Sequence, residues 1–169
     1  MKKFKVMAIG LLIFMTFVAI SIGAYAATTV TAEQANEVAL KKAGGGIVVE
    51  NELEYDDGIL VYDIIVINGE KRYSMEINAN NLTIYEFKER NIDSVAYGIN
   101  LNNVAISIDK AKEIALNKAG GGIITSCRLE YEDRILVYDV EVINGKVEYD
   151  IEIDASTGNI VSFDRDYHR

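Results

Sequence analysis

The sequence predicts an α+β fold built from two tandem units, each one helix packed on a three- to four-stranded antiparallel β-meander. Three observations predict it. Residues 31–90 and 107–166 align without a gap at one constant offset (31 to 107, 76 residues), and about half the aligned positions are identical, the mark of a duplicated unit. Within each copy the apolar residues recur first at helical spacing and then, past a triple glycine, at alternate positions. Finally, Asn68-Gly69 and Asn144-Gly145 each sit between two apolar runs, and Asn-Gly is the strongest short hairpin signal because both residues tolerate positive φ.

The organisation that follows is a leader over 1–26, a first repeat over 27–90, a connector over 91–106 and a second repeat over 107–169. The leader has the three parts of an export signal: Lys2, Lys3 and Lys5, then an uncharged apolar run over 6–22, then the small-x-small pattern Ala24-Tyr25-Ala26 before Ala27. Cleavage is expected between Ala26 and Ala27. The alternative is an uncleaved anchor, for which 17 apolar residues is at the short limit of a membrane span. No cysteine follows the apolar run, which argues against a lipid-modified N-terminus. The repeats are expected to be secreted or held at the extracytoplasmic surface, with a membrane contact only if the leader stays attached.

Each repeat opens with a helix. Thr31 and Gln34 have capping-box spacing, and Ser107 takes the same cap position in the second copy with Asp109 in the first turn. Gly44-Gly45-Gly46 and Gly120-Gly121-Gly122 end the helices, since glycine accepts the left-handed conformation there. A glycine loop that cradles phosphate leads into a helix N-terminus, whereas these loops follow one.

Strands are expected next. In the first, Ile47, Val49, Leu53 and Tyr55 alternate with Glu50, Glu52 and Glu54. A second covers 58–67 and a third 72–78, and a short last strand carries Ile84 and Phe87. The second strand of copy one is apolar on both faces, and copy two resolves its orientation. There Asp139 and Glu141 share one face while Leu136, Tyr138, Val140 and Val142 share the other. The core face is therefore Leu60, Tyr62, Ile64 and Val66, and the outer face is acidic and solvated. A unit of about 60 residues is marginal alone, so the copies are expected to pack on one another. Ile59, Val61, Ile65 and Ile67 are the candidate contact, and Val95, Tyr97 and Ile99 a short strand in the connector.

Composition excludes several functions. Without the leader's three lysines the chain has 14 basic and 26 acidic residues, a net of −12. That charge repels nucleic acid and anionic lipid and suits simple solubility first, or else basic protein partners or cations. The only histidine, His168, is next to last, and the only cysteine, Cys127, is replaced by Asn51 in copy one. A thiol nucleophile lacks a base, and a zinc site lacks ligands. No enzyme, cofactor or metal is expected. Asp56-Asp57-Gly58 has turn chemistry without calcium-loop spacing, and Asp164 and Asp166 would hold a cation weakly at best. The candidate interaction residues are Asp63, Asp139 and Glu141 on the outer face.

The helix ending in Lys-Ala-Gly-Gly, the Val-Tyr-Asp-Val strand and the closing stretch of Tyr149, Asp154, Ala155, Thr157, Gly158 and Ile160 together resemble the PepSY domain. The first copy departs at the close, with Leu82 where the second has Gly158, so that turn is expected to differ. PepSY units occur in propeptides of thermolysin-like secreted metallopeptidases, in spore-germination proteins and in small exported bacterial proteins. The resemblance implies a non-catalytic exported module that binds or inhibits a peptidase, with a secreted metallopeptidase as the expected partner. The alternative is a membrane-tethered structural or sensory protein of the cell envelope.

Overall fold

The structure, a computed structural model, describes residues 30–92, 101–132 and 135–167. The leader with Ala24, Ala26 and Ala27, the connector residues 93–100 and His168 lie outside the described residues.

Both repeats begin with twelve-residue helices, α1 (Ala32–Ala43) and α2 (Ile108–Ala119). The Thr31 hydroxyl accepts from the Gln34 backbone N–H, and the Gln34 side chain accepts from the Thr31 N–H at 2.9 Å, which completes the capping box. Ser107 accepts from the Lys110 N–H. Gly44 and Gly120 close the helices at φ 77° and 76°. After α1 come β1 (Ile47–Asp56), β2 (Ile59–Asn68), β3 (Lys71–Asn78) and β4 (Ile84–Asn91). After α2 come β5 (Ile123–Glu132), β6 (Ile135–Asn144), β7 (Val147–Asp154) and β8 (Ile160–Tyr167). A short 3-10 turn at Leu101–Asn103 precedes α2.

The helices lie on one face of the sheet through a column of small residues. Ala35, Ala39, Ala43 and their counterparts Ala111, Ala115 and Ala119 are buried and let the helix backbone come close to the strands. Beneath them are Tyr62, Ile64 and Val66, matched by Tyr138, Val140 and Val142. The orientation expected for the second strand of each repeat is the one found. Tyr62 Oη donates to the Val30 carbonyl at 3.0 Å and Tyr138 Oη to the Ile106 carbonyl at 3.1 Å, so each tyrosine ties the segment before its helix to the sheet. The hairpin asparagines have a second use. Asn68 and Asn144 donate to the last helical carbonyls, Ala43 and Ala119, at 3.2 and 3.1 Å.

The arrangement of the two repeats differs from expectation. There is one eight-stranded antiparallel sheet, in the order β4-β3-β2-β1-β5-β6-β7-β8, rather than two separate meanders packed together. The repeats meet edge to edge through β1 and β5, with Glu50 opposite Arg128, Asn51 opposite Cys127 and Glu52 opposite Ser126. The physical reason is that the edge strand of each meander carries unpaired N–H and C=O groups, and pairing them satisfies both edges. Val61, Ile65 and Ile67 are buried, Ile59 is exposed, and none of the four forms the junction strand pair. A bulge at Val49, and its equivalent between Ile124 and Ser126, also breaks the simple alternation expected in β1 and β5.

The closing turns of the two repeats are alike, contrary to expectation. Leu82 adopts φ 62° where Gly158 adopts 77°. Asn78 Oδ1 accepts from the N–H groups of Asn80 and Asn81, as Asp154 Oδ1 does from those of Ser156 and Thr157. The Asx turn imposes the conformation, and a leucine accepts it at a cost of about 1–2 kcal/mol.

Candidate functional site: the open face of the sheet

With both helices on one side, the other side of the sheet is free of them, and there the paired positions place the candidate residues. Asp63 in β2 is opposite Glu52 in β1 and Glu76 in β3. Asp139 in β6 is opposite Arg128 in β5 and Glu152 in β7, and Glu141 is opposite Ser126 and Asp150. Directly paired residues of an antiparallel sheet share a face, so Asp63, Asp139 and Glu141 all belong to the open face. They do not form one cluster. Asp63 belongs to the first repeat, and β1 and β5 separate it from the other two.

Arg128, at the junction, was not singled out from the sequence. Its Nε is 2.9 Å from Glu52 and its Nη2 3.4 Å from Glu141, so one guanidinium links a carboxylate of each repeat. The position matches Glu52 in the first copy, and that sign reversal between copies was the available signal.

Four carboxylates of this face, Glu50, Asp63, Asp139 and Glu141, hold their protons more tightly than usual. Burial raises Glu50 from 4.5 to about 7, helped by the nearby charges of Glu52 and Asp63. Burial likewise raises Asp63, with Glu52 adding to it, and raises Glu141 against the pull of Arg128. Asp139 is pushed well above the usual carboxylate range by burial and by the Asp150 carboxyl beside it. A shallow cavity of about 180 Å³ opens along β6–β8, lined by Glu141, Glu148, Asp150, Asp164, Arg165 and Asp166. Among the described residues no group of three or more His, Cys, Asp or Glu side chains is arranged to hold a metal ion.

Under the helices the junction has a second polar seam. Asn51 Nδ2 donates to Asn36 at 2.7 Å, and Asn36 Nδ2 donates to Asp109 at 2.8 Å, which ties α1, β1 and α2 together. In the second repeat the equivalent pair is Lys112 and Cys127, both buried. Burial lowers the Lys112 amine and pushes the Cys127 thiol up to about 12, so the thiol is protonated and shielded.

The family model for the peptidase propeptide and YPEB domain matches residues 29–94 and 105–164. The chain belongs to the PepSY family. Its two PepSY segments are the two halves of the sheet. A protein of Clostridium difficile 630, provisionally described as a lipoprotein, has a solved structure that resembles this PepSY chain at TM-score 0.52 and 27% identity, over 82% of this chain and 95% of that one. The C-terminal domain of YpeB from Bacillus megaterium matches over 82% of this chain and 66% of that one, at 18% identity and TM-score 0.31. No curated protein sequence matches the chain.

Proposed function

We propose that this PepSY protein is a non-catalytic module that works outside the cytoplasm and binds a secreted or cell-surface peptidase through the open face of its sheet. One observation carries the reading. The helices cover one face, while the other presents half-buried carboxylates whose ionisation burial disfavours. A lysine or arginine of a partner that docks there gains a desolvated ion pair, the kind that gives specificity. The family's own description, peptidase propeptide, supports a peptidase as the partner. The export-signal pattern of residues 1–26 supports the location.

The test is retention of proteins from the host culture supernatant and envelope on immobilised residues 27–169, with mass spectrometry. A secreted metallopeptidase is the expected capture. Its turnover should slow when the module is added, and Asp63→Asn with Asp139→Asn and Glu141→Gln should abolish both effects. Capture of envelope proteins alone, with no peptidase slowed, would leave the second reading: a tethered structural or sensory protein. The likeness to a lipoprotein favours that alternative, with the apolar run over 6–22 as the tether because no cysteine follows it.

A further inference from the structure

The sheet ends in two edges, β4 and β8, and among the described residues neither is paired on its outer side. Exposed edges recruit other strands unless their side chains forbid it. Here the side chains of the two edges complement one another in charge.

We propose that the protein associates with further copies of itself head to tail, the outer edge of β8 in one copy pairing antiparallel with the outer edge of β4 in the next. Strand direction permits it. Every neighbouring pair in the sheet is antiparallel, so the first and last of eight strands run in opposite directions. A copy displaced sideways therefore offers β4 antiparallel to β8, with its helices on the same side of the extended sheet.

The duplication makes the backbones compatible. β4 and β8 are the same strand of the repeat, and Lys88 faces Ser74 as Asp164 faces the equivalent Asp150. Residues 88 and 164 therefore turn the same backbone groups outward, as do 90 and 166. A register with Arg90 opposite Asp164 matches unpaired N–H with unpaired C=O and keeps each side chain on its own face.

That register also matches the side chains. On the open face Arg90 meets Asp164 and Lys88 meets Asp166. On the helix face Glu89 meets Arg165, and Phe87 meets Tyr167, which are 38% and 66% exposed. Pairing β8 with β8 would set Asp164 against Asp166 and Arg165 against itself. Pairing β4 with β4 in the register centred on Glu89 would set Lys88 against Arg90 and Glu89 against itself. Like charges directly opposite are destabilising. The favoured contact uses two different surfaces and leaves a free edge at each end, so it propagates into a linear array rather than closing as a dimer.

The test is sedimentation velocity on residues 27–169, which carry both helices and all eight strands. The mean mass should rise past that of a dimer with concentration at low salt. Association should weaken about tenfold as ionic strength goes from about 0.01 M to 0.15 M and the screening length falls from about 30 to 8 Å. Lys88→Asp with Arg90→Asp should be monomeric alone, and so should Asp164→Lys with Asp166→Lys. Mixed in equal amounts, the two variants should associate again past a dimer, because β8 of the first still meets Lys88 and Arg90 of the second and the two charge-reversed edges complement one another as well. Recovery on mixing also shows that both variants are folded. A wild type that stays monomeric at low salt, edge variants that associate like wild type, or a mixture that stays monomeric would each overturn the proposal.

Discussion

Replacing Glu50 by Gln tests the electrostatics of the open face at a carboxylate that burial keeps from ionising. In the unfolded chain Glu50 loses its proton near 4.5; in the sheet burial holds it on to about 7. Stability attributable to this group is thus fully present below 4.5 and is lost as pH rises through 7, because the native state binds the extra proton between those values. A shift of that size corresponds to about 3 kcal/mol at 1.36 kcal/mol per unit. Residual solvation of the side chain brings the working figure to about 2 kcal/mol. Glu50→Gln resembles the protonated form at every pH. Urea unfolding should show wild type and variant nearly equal at about pH 4, and the variant more stable by about 2 kcal/mol at about pH 8, out of a total typically 5–15 kcal/mol. Parallel stability curves across that range, or a variant weaker than wild type at the alkaline end, would show that Glu50 titrates as an ordinary surface carboxylate and that the open face is not desolvated.

Other outcomes follow from the same structure. Asp139→Asn should likewise gain stability above neutral pH and not in acid, since burial and Asp150 hold its proton; thermal melts at the two pH extremes read this. Tyr62→Asp puts a charge beneath α1 and removes the hydrogen bond to Val30, at several kcal/mol; Ile65→Glu should cost less in the same denaturation series, because Glu141 already holds the equivalent position. Gly45 and Gly46 both have positive φ, but only at Gly46 would a Cβ meet the Ile67 carbonyl oxygen, at 2.4 Å. Gly45→Ala should therefore cost about 1–2 kcal/mol and Gly46→Ala clearly more, the difference measuring the close approach of the helix exit to β2.

Much of this was legible in the chain because each signal is local. The Thr31 cap, the Gly44 exit and the Asn68-Gly69 hairpin depend on residues a few positions apart, and Asp139 with Glu141 reported the orientation of β6 directly. The joining of the meanders was not legible, since β1 and β5 recognise each other through backbone groups that every residue has. Apolar side chains on the outer face of β2 suggested a packing surface between the repeats, yet the junction strands are β1 and β5. At the closing turn, Leu82 in place of Gly158 suggested a different backbone, but the Asx turn made by Asn78 outweighs the residue's own preference. For the candidate face, sequence placed Asp63, Asp139 and Glu141 on one side; it could not reveal that Arg128 bridges the repeats or that burial withholds their ionisation.

The β1–β5 seam has an evolutionary consequence. A one-copy ancestor would leave the outer edge of its first strand bare, and the cheapest cover for it is the same strand of a second molecule, related by a twofold axis. Duplication turns that encounter into an intramolecular one and frees the copies to diverge. The marks are visible at the seam: Glu52 has become Arg128, Asn36 has become Lys112 and Asn51 has become Cys127, or the reverse. Fusion of this kind trades symmetry for permanence, and it permits a single molecule to carry outer edges that differ in sequence, where a twofold pair of one-copy chains would have two alike.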